Sequence, residues 1–485
     1  MPNEPAVLFR YRAIIPDFRE FLAASARPLP TCVWANTLRI TPRELAQRLT
    51  ALGFEVGPVP WYARGLRLSG APSPGLTVEF LAGAYHVQEE VSLLPVALLD
   101  PQPDERILDL CAAPGNKTAQ AAVHMDNRGT VVANDPSVRR LGALQYNLHR
   151  LGVACSVTLA AGGGNLPAAI GPFDRVLVDA PCSCEGTTRK HAHVLRARHA
   201  GRWQRLAATQ RGLLARALQL CRSGGRVVYS TCTYAPEENE GVLDAVLRAA
   251  PPGSVRMVPV EVPGLHTRPG VEAWEGRRFL PEVVLARRVY PHDNDTGGFF
   301  VAVLEKLSDT AISVGASVAV LPAAPADEWR AGVERFGIAP HEVLDRFVVF
   351  RANTRTLALA SRELRAPAQP KPATVGLPFV DTAGAQPRLM TPAALLLGGA
   401  ARDNVIELDE RGADAFLARR PTSLPAAQAA ACREGGQVLV RHCGLMLGAG
   451  SVRSAAGQEW TLHSAFPTAW AVKSGRSLFP GGARE

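Results

Sequence analysis

Lysine is scarce in this chain. Of its 53 basic residues only five are lysine, so most cationic contacts fall to arginine, whose planar fork suits phosphates and base faces. Acid is in deficit too, with a formal net charge of +9 over 485 residues. That makes an acidic partner such as nucleic acid plausible without requiring one. No apolar run approaches the ~20 residues of a bilayer span. The opening "MPNEPAVLFR" has no signal-peptide pattern. No membrane partner is expected. The nine cysteines follow no regular spacing, which points away from a disulfide framework and towards reduced thiols in the cytoplasm. Paired Cys/His sets of zinc spacing are missing as well. The C-x-C of Cys182 and Cys184 would need two further ligands, so no metal is expected.

Length alone allows roughly three domains. Residues 1–75 read as a small α+β domain. In it "CVWANTLRI" reads as a strand, and "TPRELAQRLTALG" has helical spacing, with Thr41 as N-cap and Gly53 beyond its end. "APSPG" reads as a linker. Over residues 76–307 strands alternate with helices: "RILDLCAAPG", "GTVVAND", "ACSVTLAAGGG", "FDRVLVDAPC", "GGRVVYSTC" and "GGFFVAVLEKL" supply the strands. That alternation predicts an α/β fold with a doubly wound, mostly parallel sheet. Residues 308–375 form an intermediate segment ending in the Pro-rich linker "APAQPKPATVG". "GGQVLVRHCGLMLGAGSVRS" predicts a β-rich domain over 376–485.

Unusual residues gather at the strand ends, where open α/β sheets bind ligands. "CAAPGNK", Cys111 to Lys117, is a turn of small residues that lets the backbone approach a ligand closely. It is neither a dinucleotide fingerprint nor a phosphate loop, which favours a phosphate-free cofactor such as S-adenosylmethionine. Asp135 ends the second strand and either accepts from a ribose or forms an Asx turn or N-cap ahead of Pro136. "DAPCSCEG" and "YSTCTYAPEENE" place Asp179, Cys182 and Cys232 at the next two ends. Cys232 is a candidate nucleophile below a helix expected to open at Pro236, or else a small buried hydrophobe. From Gly186 to Arg216 eight cations occur without an acid: Arg189, Lys190, Arg196, Arg198, Arg202, Arg205, Arg211 and Arg216. Such a run is a phosphate-contact candidate or a solvated face. Trp203 within it is a base-stacking candidate or core.

These motifs, with "GAYHVQEEVSLLP" and "PHDNDTGGFFVAVLEK", resemble the Sun/nucleolar-protein family of RNA cytosine-C5 methyltransferases. The nearer resemblance is to its bacterial subgroup acting on 16S ribosomal RNA. The resemblance implies a Rossmann-like S-adenosylmethionine-dependent core and, more weakly, a PUA-like RNA-binding C-terminal domain. It implies that Cys232 attacks cytosine C6, that Cys182 assists product release, and that Asp179 holds the cytosine ring, with Lys117 facing the reacting centre. It assigns the cofactor to Cys111, Ala112, Ala113, Pro114, Gly115, Asn116, Lys117, Asp135, Arg140 and Asp179. The implied partner is 16S ribosomal RNA or the 30S subunit, engaged by a monomer. Two departures stand out. The family commonly reads P-C-S-G, and Cys184 replaces that glycine. Many relatives carry an acid after the third strand, whereas "LAAGGG" has none. Backbone groups around Ala161 and Gly162 are expected to take its place at the adenine.

Overall fold

The computed structural model describes residues 6–70, 73–191, 193–194, 201–308, 317–425, 427–428, 432, 436–454, 460–472 and 478. Its centre is a ten-stranded sheet. Five parallel strands form its heart: β1 (Arg106–Asp109), β2 (Thr130–Asn134), β3 (Ser156–Leu159), β4 (Phe173–Asp179) and β5 (Cys221–Thr231). Their spatial order is β3-β2-β1-β4-β5. Antiparallel to β5 runs β7 (Phe299–Lys306), and beside it β6 (Arg287–Val289).

The strands are apolar on both faces because helices cover both. Ile107 and Val131 join one core with the helix Leu94–Leu99, α1 (Asn116–His124) and α2 (Val138–Leu151). Leu108 and Val132 join the other with α3 (Arg202–Leu220) and α4 (Glu240–Ala249). Each "RILD"-type strand therefore reads as a continuous hydrophobic run, as parallel sheets require.

The expected boundary at residue 75 falls inside a sheet. Thr31–Ala35, Glu55–Pro58 and Gly65–Ser69 make an antiparallel sheet whose fourth strand is Tyr85–Val87. The helix at Pro42–Ala51 carries the Thr41 capping box. The first two helices, Ala6–Phe9 and Phe18–Ser25, do not join this sheet. They pack through Leu8, Tyr11 and Phe21 on Tyr234, Ala235 and Tyr290 of the central domain.

The Pro-rich stretch is no free linker. Thr374–Val375 pairs with the edge strand β3, and Ala373 and Gly376 N–H donate to Thr158 and Ser156 carbonyls at 2.8 Å. The boundary at 375/376 cuts a further antiparallel sheet of Phe347–Arg351, Thr356–Ser361, Leu377–Asp381 and Arg388–Leu389. Proline is tolerated because these are short edge pairings. The C-terminal β-rich domain is a five-stranded mixed sheet between Val405 and Ser464. Its Cys443-Gly444 turn has positive φ at both residues, as a tight hairpin prefers. Among the described residues no helix is long and apolar enough to cross a membrane.

One buried ion pair ties β6 to α4. Arg288 donates to both oxygens of Glu240, at 2.7 and 2.5 Å, and to Tyr234 O at 2.9 Å. Removing one partner leaves the other charge buried alone. Arg288→Met is expected to lower the unfolding free energy of the central domain by about 3–5 kcal/mol, and a loss below ~1 kcal/mol in urea denaturation would contradict it.

Candidate active site

The parallel register of β4 and β5 sets Asp179 opposite Ser230. Ser230 Oγ donates to Asp179 Oδ1 at 2.8 Å. The two chains leave the sheet as neighbours, and Cys182 Sγ lies 3.4 Å from Cys232 Sγ. Cys184 Sγ lies 3.9 Å from Cys182 Sγ. All three are free thiols, and all are half-buried.

Gly186 locks these loops together. Its N–H donates to Cys232 O at 2.8 Å, and its carbonyl accepts from Gly298 N–H at 2.9 Å. A Cβ there would sit 2.2 Å from Gly298 O, so no larger residue allows this approach. Ser183 N–H donates to Glu238 Oε2 at 3.0 Å, as does Gln210 Nε2 at 2.8 Å. Glu185 is buried and accepts from Tyr11 Oη at 2.6 Å and Trp203 Nε1 at 2.9 Å. The N-terminal helices thereby help wall the site.

Lys117 Nζ reaches in from α1 and donates to Asp179 Oδ2 and to Ser92 Oγ, both at 2.8 Å. Burial opposes its charge, but Asp179 outweighs burial and the ammonium's pKa is raised. Beneath them Asp109 is pushed up to about 7 by burial. Thr118 Oγ1 donates to its Oδ2 at 2.6 Å, and its buried Oδ1 has no partner. Three thiols this close share charge through their S–H bonds. Hydrogen bonding with Cys184 and Cys232, together with burial, holds Cys182 well up. Donation from Cys182 favours a Cys232 thiolate, but Cys184 and burial outweigh it and Cys232 is raised as well. Donation from Cys182 and Cys232 pulls Cys184 down. The helix expected at Pro236 opens only at Glu240, so no helix terminus sits at Cys232.

The loop from Cys111 to Gly115 is held from outside. Ala112 N–H donates to Asn134 O at 2.8 Å, and Asn147 Nδ2 donates to Pro114 O at 2.9 Å. Arg140 donates to Ala113 O and pairs with Asp135 Oδ2 at 3.0 Å. Asp135 also closes an Asx turn, accepting from Ser137 N–H at 2.9 Å. Asn116 Oδ1 lies 3.0 Å from His86 Nε2 of the first sheet. Ala161 does not have free backbone groups: Asn134 accepts from its N–H at 3.2 Å and donates to its carbonyl at 3.0 Å. Of the two residues expected to take the place of the missing acid, Ala161 thus has its N–H engaged within the protein. Ser92, Asn134 and Asn147 carried no signal beyond lying within or near the motif segments.

A family model described as 16S rRNA methyltransferase RsmB/F matches residues 96–305, and one described as the N-terminal domain of 16S rRNA methyltransferase RsmF matches 7–90. A mouse 28S rRNA (cytosine-C(5))-methyltransferase is 40% identical over 63% of this chain. The chain spans only 39% of that relative's length. A tRNA (cytosine(49)-C(5))-methyltransferase of Pyrococcus abyssi is 36% identical, over 60% of this chain and 92% of its own length. The chain belongs to the RsmB/F family of RNA cytosine-C5 methyltransferases. A solved Pyrococcus horikoshii methyltransferase homologue, 33% identical, superposes with a TM-score of 0.55 over 62% of this chain and 95% of its own.

Against the family pattern, Cys184 occupies a left-handed backbone position, φ 63°. The geometry that favours glycine persists although the glycine is gone, at about 1–2 kcal/mol for an L-residue.

The cation run divides. Arg189 is wholly engaged: it donates to the carbonyls of Arg27, Pro28 and Thr296 and pairs with Asp295 at 2.7 Å. Arg216 donates to Leu166 O. Neither is free for phosphate. Arg196 and Arg198 lie outside the described residues. Lys190, Arg205 and Arg211 are exposed and Arg202 is half-buried. Trp203 is walled in by Arg10, 4.1 Å above its ring, and by Glu185, so it is not open to a base. The expectation of no metal overlooked one geometric fact. Fifty residues downstream of the C-x-C, Cys232 brings a third sulfur.

Burial pushes Glu238 up to about 7, from 4.5 in an ordinary setting. A carboxyl raised in the folded state contributes stability that is fully present below about 4.5 and lost as pH rises through about 7. Between pH 5 and 8.5 the wild type should lose ~2–3 kcal/mol more than Glu238→Gln. Parallel urea curves for the two proteins across that range would refute this.

Proposed function

We propose that this protein transfers a methyl group from S-adenosylmethionine to C5 of cytosine in 16S ribosomal RNA. The observation that carries the reading is the meeting of Cys232 and Cys182 at 3.4 Å, beside the Lys117–Asp179 pair. The residues fit the cofactor: a loop of small residues, an unpartnered buried oxygen on Asp109, and carboxylates at Asp135 and Asp179 suited to hydroxyls and positive charge. Cys111 to Lys117, Asp135 and Arg140 would hold it. When bound, it supplies an electrophilic methyl group on a sulfonium.

The chain's own residues do the rest. Cytosine C5 is a poor nucleophile. The Cys232 thiolate adds to C6, forming a C–S bond and driving the ring's electrons onto C5, which would take up the methyl carbon as its bond to the sulfonium sulfur breaks and a neutral thioether leaves. This splits one difficult step into easier ones. Asp179 holds the ring edge, and Lys117 keeps a positive charge near the forming thiolate. After methylation a base removes the C5 proton, the C6–S bond breaks, and the ring's double bond returns. Cys182, in contact with the departing sulfur, assists that release. The target base must first leave its stack, at a few kcal/mol. RNA contacts from Lys190, Arg202, Arg205, the first domain and the PUA-like C-terminal domain offset that cost. The RsmF description of the N-terminal match favours ribosomal over transfer RNA. The enzyme acts as a cytoplasmic monomer on the RNA or the 30S subunit.

Trapping on 5-fluorocytosine RNA tests the roles. Cys232→Ala is expected to abolish the covalent adduct and Cys182→Ala to keep it, and on ordinary cytosine RNA Cys182→Ala should accumulate the adduct that the wild type releases. Loss of the adduct in Cys182→Ala alone would instead make Cys182 the attacker, as in DNA cytosine-C5 methyltransferases. Methylation mapping of 16S and transfer RNA after incubation with the enzyme decides the substrate. Neutralising Lys190, Arg205 and Arg211 together should weaken RNA binding and flatten the log–log salt dependence by up to about 2–3. An unchanged slope would make that run a solvated face.

A further inference from the structure

The third thiol has no part in the proposed reaction. Cys182, Cys184 and Cys232 place their sulfurs within 4.8 Å of one another, the one such metal-capable group among the described residues. Two edges of that triangle measure 3.4 and 3.9 Å. A cation bound tetrahedrally at a Zn–S distance of about 2.3 Å needs sulfurs roughly 3.8 Å apart. The triangle therefore encloses a thiolate-bound ion with an adjustment of about an ångström or less. Three soft sulfur donors without a carboxylate among them select a thiophilic cation over magnesium or calcium. All three residues are half-buried, so the group is not sealed from solvent and a fourth position stays open to water or a further ligand. The charge of Lys117 is balanced by Asp179 at 2.8 Å, while Arg202 and His191 also act on Cys184; three thiolates together outweigh them. Cys184 reaches the triangle only through its left-handed backbone, φ 63°, where glycine would cost nothing and supply no ligand.

We propose that Cys182, Cys184 and Cys232 form a three-thiolate site for a thiophilic d10 cation, zinc in the cell, and that its binding withdraws the attacking sulfur from reaction. Each thiol releases its proton to solvent as it coordinates, so binding is pH-linked. No oxidant is required, and removal of the ion restores the thiols. The site rests on the sulfur geometry alone; only its inhibitory effect rests on the proposed methyl transfer.

The test uses the full-length protein kept reduced with a phosphine, which excludes disulfides. Zinc is titrated against a chromophoric chelator, and cobalt(II) is added separately as a spectroscopic probe. The wild type is expected to bind one zinc, and its cobalt form to show thiolate-to-cobalt absorption. Cys184→Gly relieves the backbone strain, so it should fold; Cys184→Ser keeps the side-chain volume. Both should bind zinc at least ~100-fold more weakly, since even outer-shell partners are worth 10–100-fold. Zinc should stop methyl transfer by the wild type, reversibly on chelation, while Cys184→Gly turns over in the same zinc. Equal zinc affinity in wild type and Cys184→Gly, or a cobalt form without thiolate absorption, overturns the site. Tight Cys184-dependent binding in a protein without methyl transfer would instead leave the site standing and sink the functional reading.

Discussion

The register of β4 against β5 is the constraint on which the site depends. Parallel neighbours lie about 4.8 Å apart, and side chains alternate faces with period two. With Asp179 opposite Ser230, the loops that follow leave the sheet side by side and bring Cys182 to Cys232. A slip of one residue would turn Asp179 to the other face and part the thiols. The one irregularity in this pairing lies at the far end, between Phe173 and Arg175, away from the site. The bare backbone of Gly186 then closes the gap, bonded on one side to Cys232 and on the other to Gly298. Three segments separated widely in sequence are fixed at one point by two backbone hydrogen bonds and an absent Cβ.

The electrostatics follow from that enclosure. Lys117 would be a poor ammonium in so buried a place without Asp179. Asp109, lacking such a partner, is held up towards neutrality. One pair stays charged and one acid tends to stay protonated, within a small volume. This leaves the Lys117 ammonium fixed near the sulfurs, whatever the thiols share among themselves. The outer wall is polar in the same economical way. Glu185 and Glu238 sit buried, each receiving several donors, and so tie the first helices and α3 to the cysteine loop.

Strands buried on both faces announced themselves as apolar runs, and small-residue or cysteine-bearing strand ends marked the site edge. Cys232, Cys182, Asp179 and Lys117 could be read because each lay in a motif at such an end. The distances could not. Whether two thiols 3.4 Å apart become three depends on a φ of 63° at Cys184, which no side-chain pattern encodes. The Pro-rich stretch 366–376 misled because proline suggests a linker, while its backbone still pairs at the sheet edge through Ala373, Thr374 and Gly376. At Ala161 the sequence pattern also hides a contact: Asn134, one residue before the expected ligand Asp135, bonds to both of its backbone groups.

Arginine in this chain does two kinds of work, and composition cannot separate them. With so little lysine, arginine also supplies the internal staples. Arg189 joins the cysteine loop to Pro28 and Asp295, Arg216 fastens α3 to Leu166, Arg288 neutralises Glu240, and Arg150 lies fully buried against Tyr85 and His86. A guanidinium with every donor engaged by carbonyls contributes charge to the far field but no fork to a phosphate. The +9 of the sequence therefore overstates the contacts that a polyanion can make. Among the described residues of the cation run, the exposed ones are Lys190, Arg205 and Arg211, between the cysteine loop and the middle of α3. Interactions between exposed charges are screened beyond about 8 Å at physiological salt, so nearby exposed side chains count for more than the total charge in holding any polyanion.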